Sequence, residues 1–296
     1  MTYRELKKRL EAAGISDAET DARMLLCAFA GVSPAVQRAD PDRDYTSPEL
    51  ERAVRRREDR EPLQYLLGTW QFFGQTYEVS PDCLIPRADT EVLVEKAIAL
   101  LPKNARFADL CTGSGCIAVS VLAERPDTSA VAAEKFPRTL EIAKRNAARN
   151  GVAPRFFPAL ADVLRGEGIP DGTRLDAILS NPPYIPSDTV PTLAPEVLRE
   201  PPAALDGGRD GMAFYRAILQ FYRRFLKPDG FFLFEIGYDE ADAIRALAKA
   251  SGDTCEIFRD LGGNDRVALI RSAAEQTNRN GNPNGDPDAA ICQSES

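Results

Sequence analysis

The spacing of apolar and polar positions gives the chain two rhythms. Up to about residue 60, apolar side chains recur every three or four positions. Tyr3, Leu6 and Leu10 form one stripe, and Ala22, Leu25, Leu26 and Phe29 form a second. Ser16-Asp17-Ala18-Glu19 has the form of a capping box ahead of that second stripe. Thr46-Ser47-Pro48-Glu49 opens a further helix, with proline in the first turn, where no intrahelical donor is lost. These signals predict a small helical bundle that carries no residue set equipped for chemistry.

Beyond it the rhythm becomes short apolar runs alternating with helical stripes. Strand signals fall at 106–111, 129–134, 175–180 and 230–236, with weaker ones near Arg155 and at 254–258 and 266–271. Helical stripes occupy 90–101, 117–124, 137–150, 212–226 and 240–250. Such alternation implies right-handed crossovers and a doubly wound α/β fold with a mostly parallel, seven-stranded sheet. Gly262-Gly263-Asn264 joins the last two strands closely enough to make an antiparallel hairpin at the sheet's C-terminal edge.

Between the halves, Pro62, Tyr65, Trp70, Phe72, Phe73, Gly74 and Tyr77 read as a linker and a short hairpin. Packing at a domain junction explains these aromatics at least as well as ligand contact. After Ala274 the chain is too polar and too rich in Asn, Gly and Pro to pack, which predicts a disordered tail. The expected division is therefore 1–65 helical domain, 66–88 linker and hairpin, 89–273 α/β domain and 274–296 tail.

Charge and composition narrow the chemistry. A net charge of -8 argues against a broad phosphate-binding face, although a local basic patch remains open. Histidine is absent, and Cys27, Cys83, Cys111, Cys116, Cys255 and Cys292 form no CxxC pair. That removes most zinc and haem sites and every Ser-His or Cys-His nucleophile, so no metal is expected. The thiols suit a reducing, cytoplasmic setting. The N-terminus lacks the apolar core of a signal peptide, and no apolar run approaches the ~20 residues needed to cross a bilayer.

The first strand of the α/β half ends in Asp109-Leu110-Cys111-Thr112-Gly113-Ser114-Gly115. Its glycines allow a tight turn and close approach of backbone to a ligand where strand ends meet a helix N-terminus. The next strand ends at Glu134, whose carboxylate can accept from ribose hydroxyls. The pairing suggests a nucleoside-bearing ligand. Ala118 stands where a dinucleotide fingerprint has its third glycine, a substitution that fingerprint tolerates, so the loop leaves the ligand open. Asp162 follows the strand near Arg155 and could accept from an adenine amine, although a solvated loop Asp is the commoner case. The fourth strand runs into Asn181-Pro182-Pro183-Tyr184, which by itself is a rigid turn or a binding device.

Taken in order, the Asp109–Gly115 loop, Glu134, Asp162 and Asn181-Pro182-Pro183-Tyr184 resemble the class I S-adenosylmethionine-dependent methyltransferases that act on amino groups. Four flanking segments narrow the resemblance to the peptide chain release factor glutamine N5-methyltransferases: Glu61-Pro62-Leu63-Gln64-Tyr65, Leu84 through Glu91, Ala204 through Gly211, and Glu235-Ile236-Gly237. It covers residues 1 to about 271. It implies S-adenosylmethionine as cofactor, held by Asp109, Cys111, Thr112, Gly113, Ser114, Gly115, Glu134, Asp162, Val163 and Asn181. It also implies release factors as protein substrates, with no stable nucleic-acid partner, no membrane and a monomeric enzyme. The chain departs from the family's pattern at Cys111, usually glycine, and at Glu134, usually Asp. Lys135-Phe136 and Val163 also differ in size from the family's usual residues.

The chemistry gives the proline motif a role. A glutamine amide nitrogen is a poor nucleophile, because its lone pair is delocalised into the carbonyl, yet two acceptors can hold its NH₂ facing a methyl sulfonium. The resemblance assigns these to the Asn181 side-chain oxygen and the Pro182 carbonyl, with Tyr184 stacked on the amide as the third catalytic residue; Asn181, Pro182, Pro183 and Tyr184 together bind the substrate. Pro182 keeps Asn181 out of the helical region, and neither proline offers an N–H to compete for the acceptors. Three other readings compete: a nucleic-acid amino-methyltransferase, whose exocyclic amine suits the same clamp; a non-catalytic module, which need not keep all three features; and an NAD-dependent oxidoreductase, which leaves the proline motif idle.

Overall fold

The computed structural model describes residues 1–273, so the tail expected at 274–296 lies outside the described residues. Five helices open the chain: α1 (Tyr3–Ala12), α2 (Ala18–Ala30), α3 (Pro34–Ala39), α4 (Pro48–Glu58) and α5 (Leu63–Leu67). Their stripes close on a core of Leu6, Leu10, Leu25, Leu26, Leu50 and Val54, each fully buried. Burying such a side chain is worth roughly 1.5–3 kcal/mol, enough to hold helices too short to persist alone. The capping box expected at Ser16 does not form. Asp17 caps α2 without a side-chain bond, because its backbone is not extended there (φ -110, ψ 46) and Glu19 is drawn off to Lys7 and Arg23. A reciprocal box forms instead between Thr2 and Glu5, ahead of α1.

A hairpin of β1 (Thr69–Phe72) and β2 (Gln75–Glu78) leads on to α6 (Glu91–Leu100). Its aromatics are packing residues: Phe72 and Tyr77 meet edge to face in the main core, and the Tyr77 hydroxyl bonds Ser120 Oγ at 2.6 Å.

The rest of the chain runs β3 (Arg106–Leu110), α7 (Cys116–Glu124), β4 (Ser129–Glu134), α8 (Pro137–Arg149), β5 (Phe156–Leu160), β6 (Leu175–Ser180), α9 (Ala213–Tyr222), β7 (Leu226–Glu235), α10 (Ala241–Ala250), β8 (Asp253–Arg259) and β9 (Asp265–Ser272). The seven strands lie in the order β5-β4-β3-β6-β7-β9-β8, with β9 alone running against the other six. Apolar side chains of α6, α7 and α8 cover one face and those of α9 and α10 the other. The helix expected over 212–226 stops at Tyr222, where the turn Arg223–Phe225 hands the chain to β7. Leu226 is taken instead into β7 opposite Leu175, and Pro228 keeps Lys227 out of the helical region.

From β3 the chain winds outward through β4 and β5, then returns to lay β6 on the other flank of β3. Ligands of open α/β sheets bind at such a reversal, beyond the carboxyl ends of the strands. The long connection from β6 to α9 covers this edge and is clamped to the helical bundle. Arg57 and Arg60 both pair with Glu196, at 3.2 and 2.8 Å, and Arg199 pairs with Asp59 at 2.8 Å. Glu200 reaches back the other way, accepting from Ile85 N at 3.0 Å and pairing with Arg87.

Candidate active site

The loop after β3 is built from short-range bonds. Thr112 Oγ1 donates to Asp109 Oδ2 at 2.5 Å, and the Ala118 N–H of α7 donates to the same oxygen at 3.2 Å. Asp109 therefore ties strand, loop and helix together from beneath. Burial pushes its pKa up to about 7, against those two bonds, and Glu134 nearby adds to the rise. Asp109 Oδ1 has no hydrogen-bond partner among the described residues.

The two glycines serve different ends. A Cβ on Gly113 (φ 57) would meet nothing nearer than Cys111 O at 4.0 Å, so its backbone faces open space. A Cβ on Gly115 (φ 81) would sit 3.2 Å from Ala143 Cβ, so that glycine lets α7 and α8 pack closely. Cys111 adopts a left-handed backbone, at φ 60, a conformation that costs roughly 1–2 kcal/mol with a side chain present.

Glu134, at the end of β4, is buried beside this loop. It accepts from Gly113 N at 3.1 Å and from Phe136 N at 3.0 Å. Burial raises its pKa, and the backbone donors at Phe136, Gly113 and Lys135 oppose the rise. Beyond β5, Val163 is buried, while both oxygens of Asp162 are engaged: Leu164 N donates to Oδ1 at 3.0 Å, and Lys135 Nζ lies 3.0 Å from Oδ2. The departure at Lys135 therefore gives the expected adenine acceptor a charged partner.

These elements enclose a cavity of about 360 Å³, whose walls include Gly113, Glu134, Phe136, Val163, Asn181 and Pro183. That volume lies within the roughly 300–1,000 Å³ usual for small-molecule sites. Cys111, Thr112, Ser114 and Asp162 also line it. Asp109, Gly115, Pro182 and Tyr184 do not, Asp109 and Gly115 because they support the loop from behind.

The proline motif leaves β6 directly opposite the loop. Ser180 Oγ donates to Leu110 O at 2.6 Å, locking the two strand ends together. Asn181 Nδ2 donates to Thr90 Oγ1 at 3.2 Å. Among the described residues no donor reaches Asn181 Oδ1 or the Pro182 carbonyl. Two acceptors, one held by a rotamer and one by a proline ring, are thus free to take the hydrogens of a planar NH₂ group.

Tyr184 is placed differently from the expected stacking position. Its ring packs into the core beneath the motif, and its hydroxyl points to Glu235 Oε1 at 3.5 Å. The connection after the motif folds tightly over the Tyr184 backbone: a Cβ on Gly207 would sit 2.6 Å from Tyr184 Cα, and one on Gly211 would run into its carbonyl. The sequence assigns no role to Thr90, Glu235 or Phe136. Thr90 and Glu235 fall in segments that carry the family resemblance, which is the signal that points to them.

Two family models match the chain, one described as the PrmC N-terminal domain over residues 2–68 and one as the methyltransferase small domain over residues 88–215. The release factor glutamine methyltransferase of Cereibacter sphaeroides is 41% identical over 271 residues, covering 90% of this chain and 95% of that protein. That of Caulobacter vibrioides is 38% identical over 270 residues, covering 89% and 92%. Among solved structures, a methyltransferase from Pyrococcus furiosus aligns with a TM-score of 0.51 at 21% identity, covering 67% of this chain and 89% of that one, a likeness of fold.

Proposed function

Because the chain belongs to the release factor glutamine methyltransferases, we propose that it methylates the side-chain amide nitrogen (N5) of the glutamine in the Gly-Gly-Gln motif of peptide chain release factors. The cofactor would be S-adenosylmethionine, which supplies an electrophilic methyl group on a sulfonium. The residues present fit it: open space above Gly113, an acidic acceptor at Glu134 and a cavity of nucleoside size. Glu134 would accept from the ribose hydroxyls, and Val163 and Phe136 would flank the base. Residues 89–273 would carry the chemistry, with 66–88 joining them to the helical residues 1–65. The protein would act as a cytoplasmic monomer; no helix among the described residues is long and apolar enough to cross a membrane.

The observation that carries this reading is the pair of unfilled acceptors, Asn181 Oδ1 and the adjoining Pro182 carbonyl, with Asn181 itself in the cavity wall. Holding the glutamine NH₂ by both hydrogens aims its nitrogen at the methyl group and turns a weak nucleophile's encounter into an oriented one. No base is needed first, because the methylated nitrogen, briefly cationic, is a strong acid that gives its extra proton to solvent. A chain without histidine is suited to this order of events. The test is transfer of labelled methyl from S-adenosylmethionine to a release factor and to the same factor with the Gly-Gly-Gln glutamine replaced by alanine. Label on the first alone is the expected result. Label that survives the replacement, or that appears instead on DNA or RNA, overturns the assignment.

A further inference from the structure

An asparagine side chain has two ends of nearly equal shape and opposite chemistry, an accepting oxygen and a donating NH₂. A clamp for a substrate NH₂ works only with the oxygen outward. The inward end of Asn181 meets the Thr90 hydroxyl, but a hydroxyl can donate or accept. It cannot select the orientation unless something fixes its own proton.

Glu235 is placed to do so. Register between β6 and β7 sets Ser180 opposite Phe234, which brings Asn181 and Glu235 to neighbouring strand ends. Thr90, in the turn Ala88–Thr90 ahead of α6, stands between them, 1% exposed, and Glu235 is 2% exposed. Among the described residues the Thr90 proton has no acceptor, and Glu235 Oε2, sealed from solvent, has no hydrogen-bond partner. Burial pushes the Glu235 carboxyl up to about 7, while the Thr90 hydroxyl and the charge of Arg266 hold it down. When ionised, the carboxylate only accepts, so it can take the Thr90 proton and leave the hydroxyl's lone pairs to the Asn181 NH₂. The other oxygen of the same carboxylate faces the Tyr184 hydroxyl.

We propose that Glu235 is the positioning residue of the Asn181-Pro182-Pro183-Tyr184 motif: through Thr90 it fixes which end of the Asn181 amide faces the cleft, and it anchors Tyr184 directly. The inference rests on the methyl-transfer reading above for its purpose, and for its mechanism on the Asn181–Thr90 bond, the strand register and the unpartnered buried oxygen of Glu235.

The test compares Thr90→Ser, which keeps the hydroxyl, with Thr90→Val, which keeps the volume and loses it, and adds Glu235→Gln. Two readouts are taken. One is kcat for release factor methylation, with thermal denaturation as a check on folding. The other, without cofactor, is solvent exchange of the Asn181 side-chain NH₂ by NMR, its signal assigned by its loss in Asn181→Asp. Expected are a kcat within about 3-fold of wild type and retained exchange protection for Thr90→Ser. Thr90→Val and Glu235→Gln should each lose at least about 10-fold in both, the scale of one hydrogen bond to a charged group. Equal losses in Thr90→Ser and Thr90→Val, or wild-type kcat and protection in Thr90→Val, overturn the relay. Should Thr90→Val not fold, Glu235→Gln decides alone, and wild-type values in it overturn the relay. A wild-type protein that methylates no release factor yet shows the predicted exchange pattern leaves the relay standing and overturns the substrate reading instead.

Discussion

The loop after β3 and the motif after β6 face each other across one cavity but are held in opposite ways. The loop is local. Asp109, Thr112 and Ala118 bond one another within ten positions, and the adjoining strand β4 supplies Ala133 O and Glu134. Much of what it offers a ligand is backbone, opened by Gly113. The motif is held from afar: Thr90 lies 91 positions before Asn181, Glu235 lies 51 after Tyr184, and Gly207 and Gly211 press on its backbone from the connection to α9. A cofactor site made of turns and backbone can be self-contained. A site that must present one end of a side chain needs a surrounding shell to orient it.

Two substitutions probe the loop's side of this contrast. The larger effect belongs to Glu134→Ala, which removes a charged acceptor and leaves Gly113 N without its partner. At roughly 1.5–3 kcal/mol for a charge-assisted bond, S-adenosylmethionine affinity measured by calorimetry should fall about 10- to 100-fold. Glu134→Gln, which keeps one accepting oxygen, should fall in between, and unchanged affinity in Glu134→Ala would remove the acid from the site. The smaller effect belongs to Cys111→Gly. Relief of the left-handed backbone at φ 60 is offset by the greater flexibility of glycine when unfolded and by the loss of a partly buried side chain, so the net change should stay within about 1 kcal/mol. Thermal denaturation and calorimetry check this, and a large loss of affinity would mean that the thiol itself contacts the ligand.

The same contrast explains what could be read from the sequence. Period-two and period-3.6 patterns place the seven strands and most helices, because one buried face repeats at fixed spacing. The glycine loop and Glu134 are legible for the same reason, being set by adjacent residues. The capping box at Ser16 was misplaced because Glu19 has ion-pair partners that local spacing does not reveal. Tyr184, expected on the substrate, packs inward against the core with its hydroxyl toward Glu235 of the neighbouring strand. Asp162 reads from sequence as an adenine acceptor or, more commonly, a solvated loop residue, and only the fold brings Lys135 to it. Thr90 is polar, buried and far from the motif in sequence, and only the fold brings it to Asn181.

The division of labour between loop and motif is tested most directly by Asn181→Ala, with cofactor affinity and methyl transfer measured on the same preparation. Calorimetry should find S-adenosylmethionine affinity within about 5-fold of wild type, while transfer to the release factor falls at least about 1,000-fold, in the range of effects that orientation supplies. Loss of both together would place Asn181 in the cofactor site and contradict the clamp, as would transfer that survives the substitution.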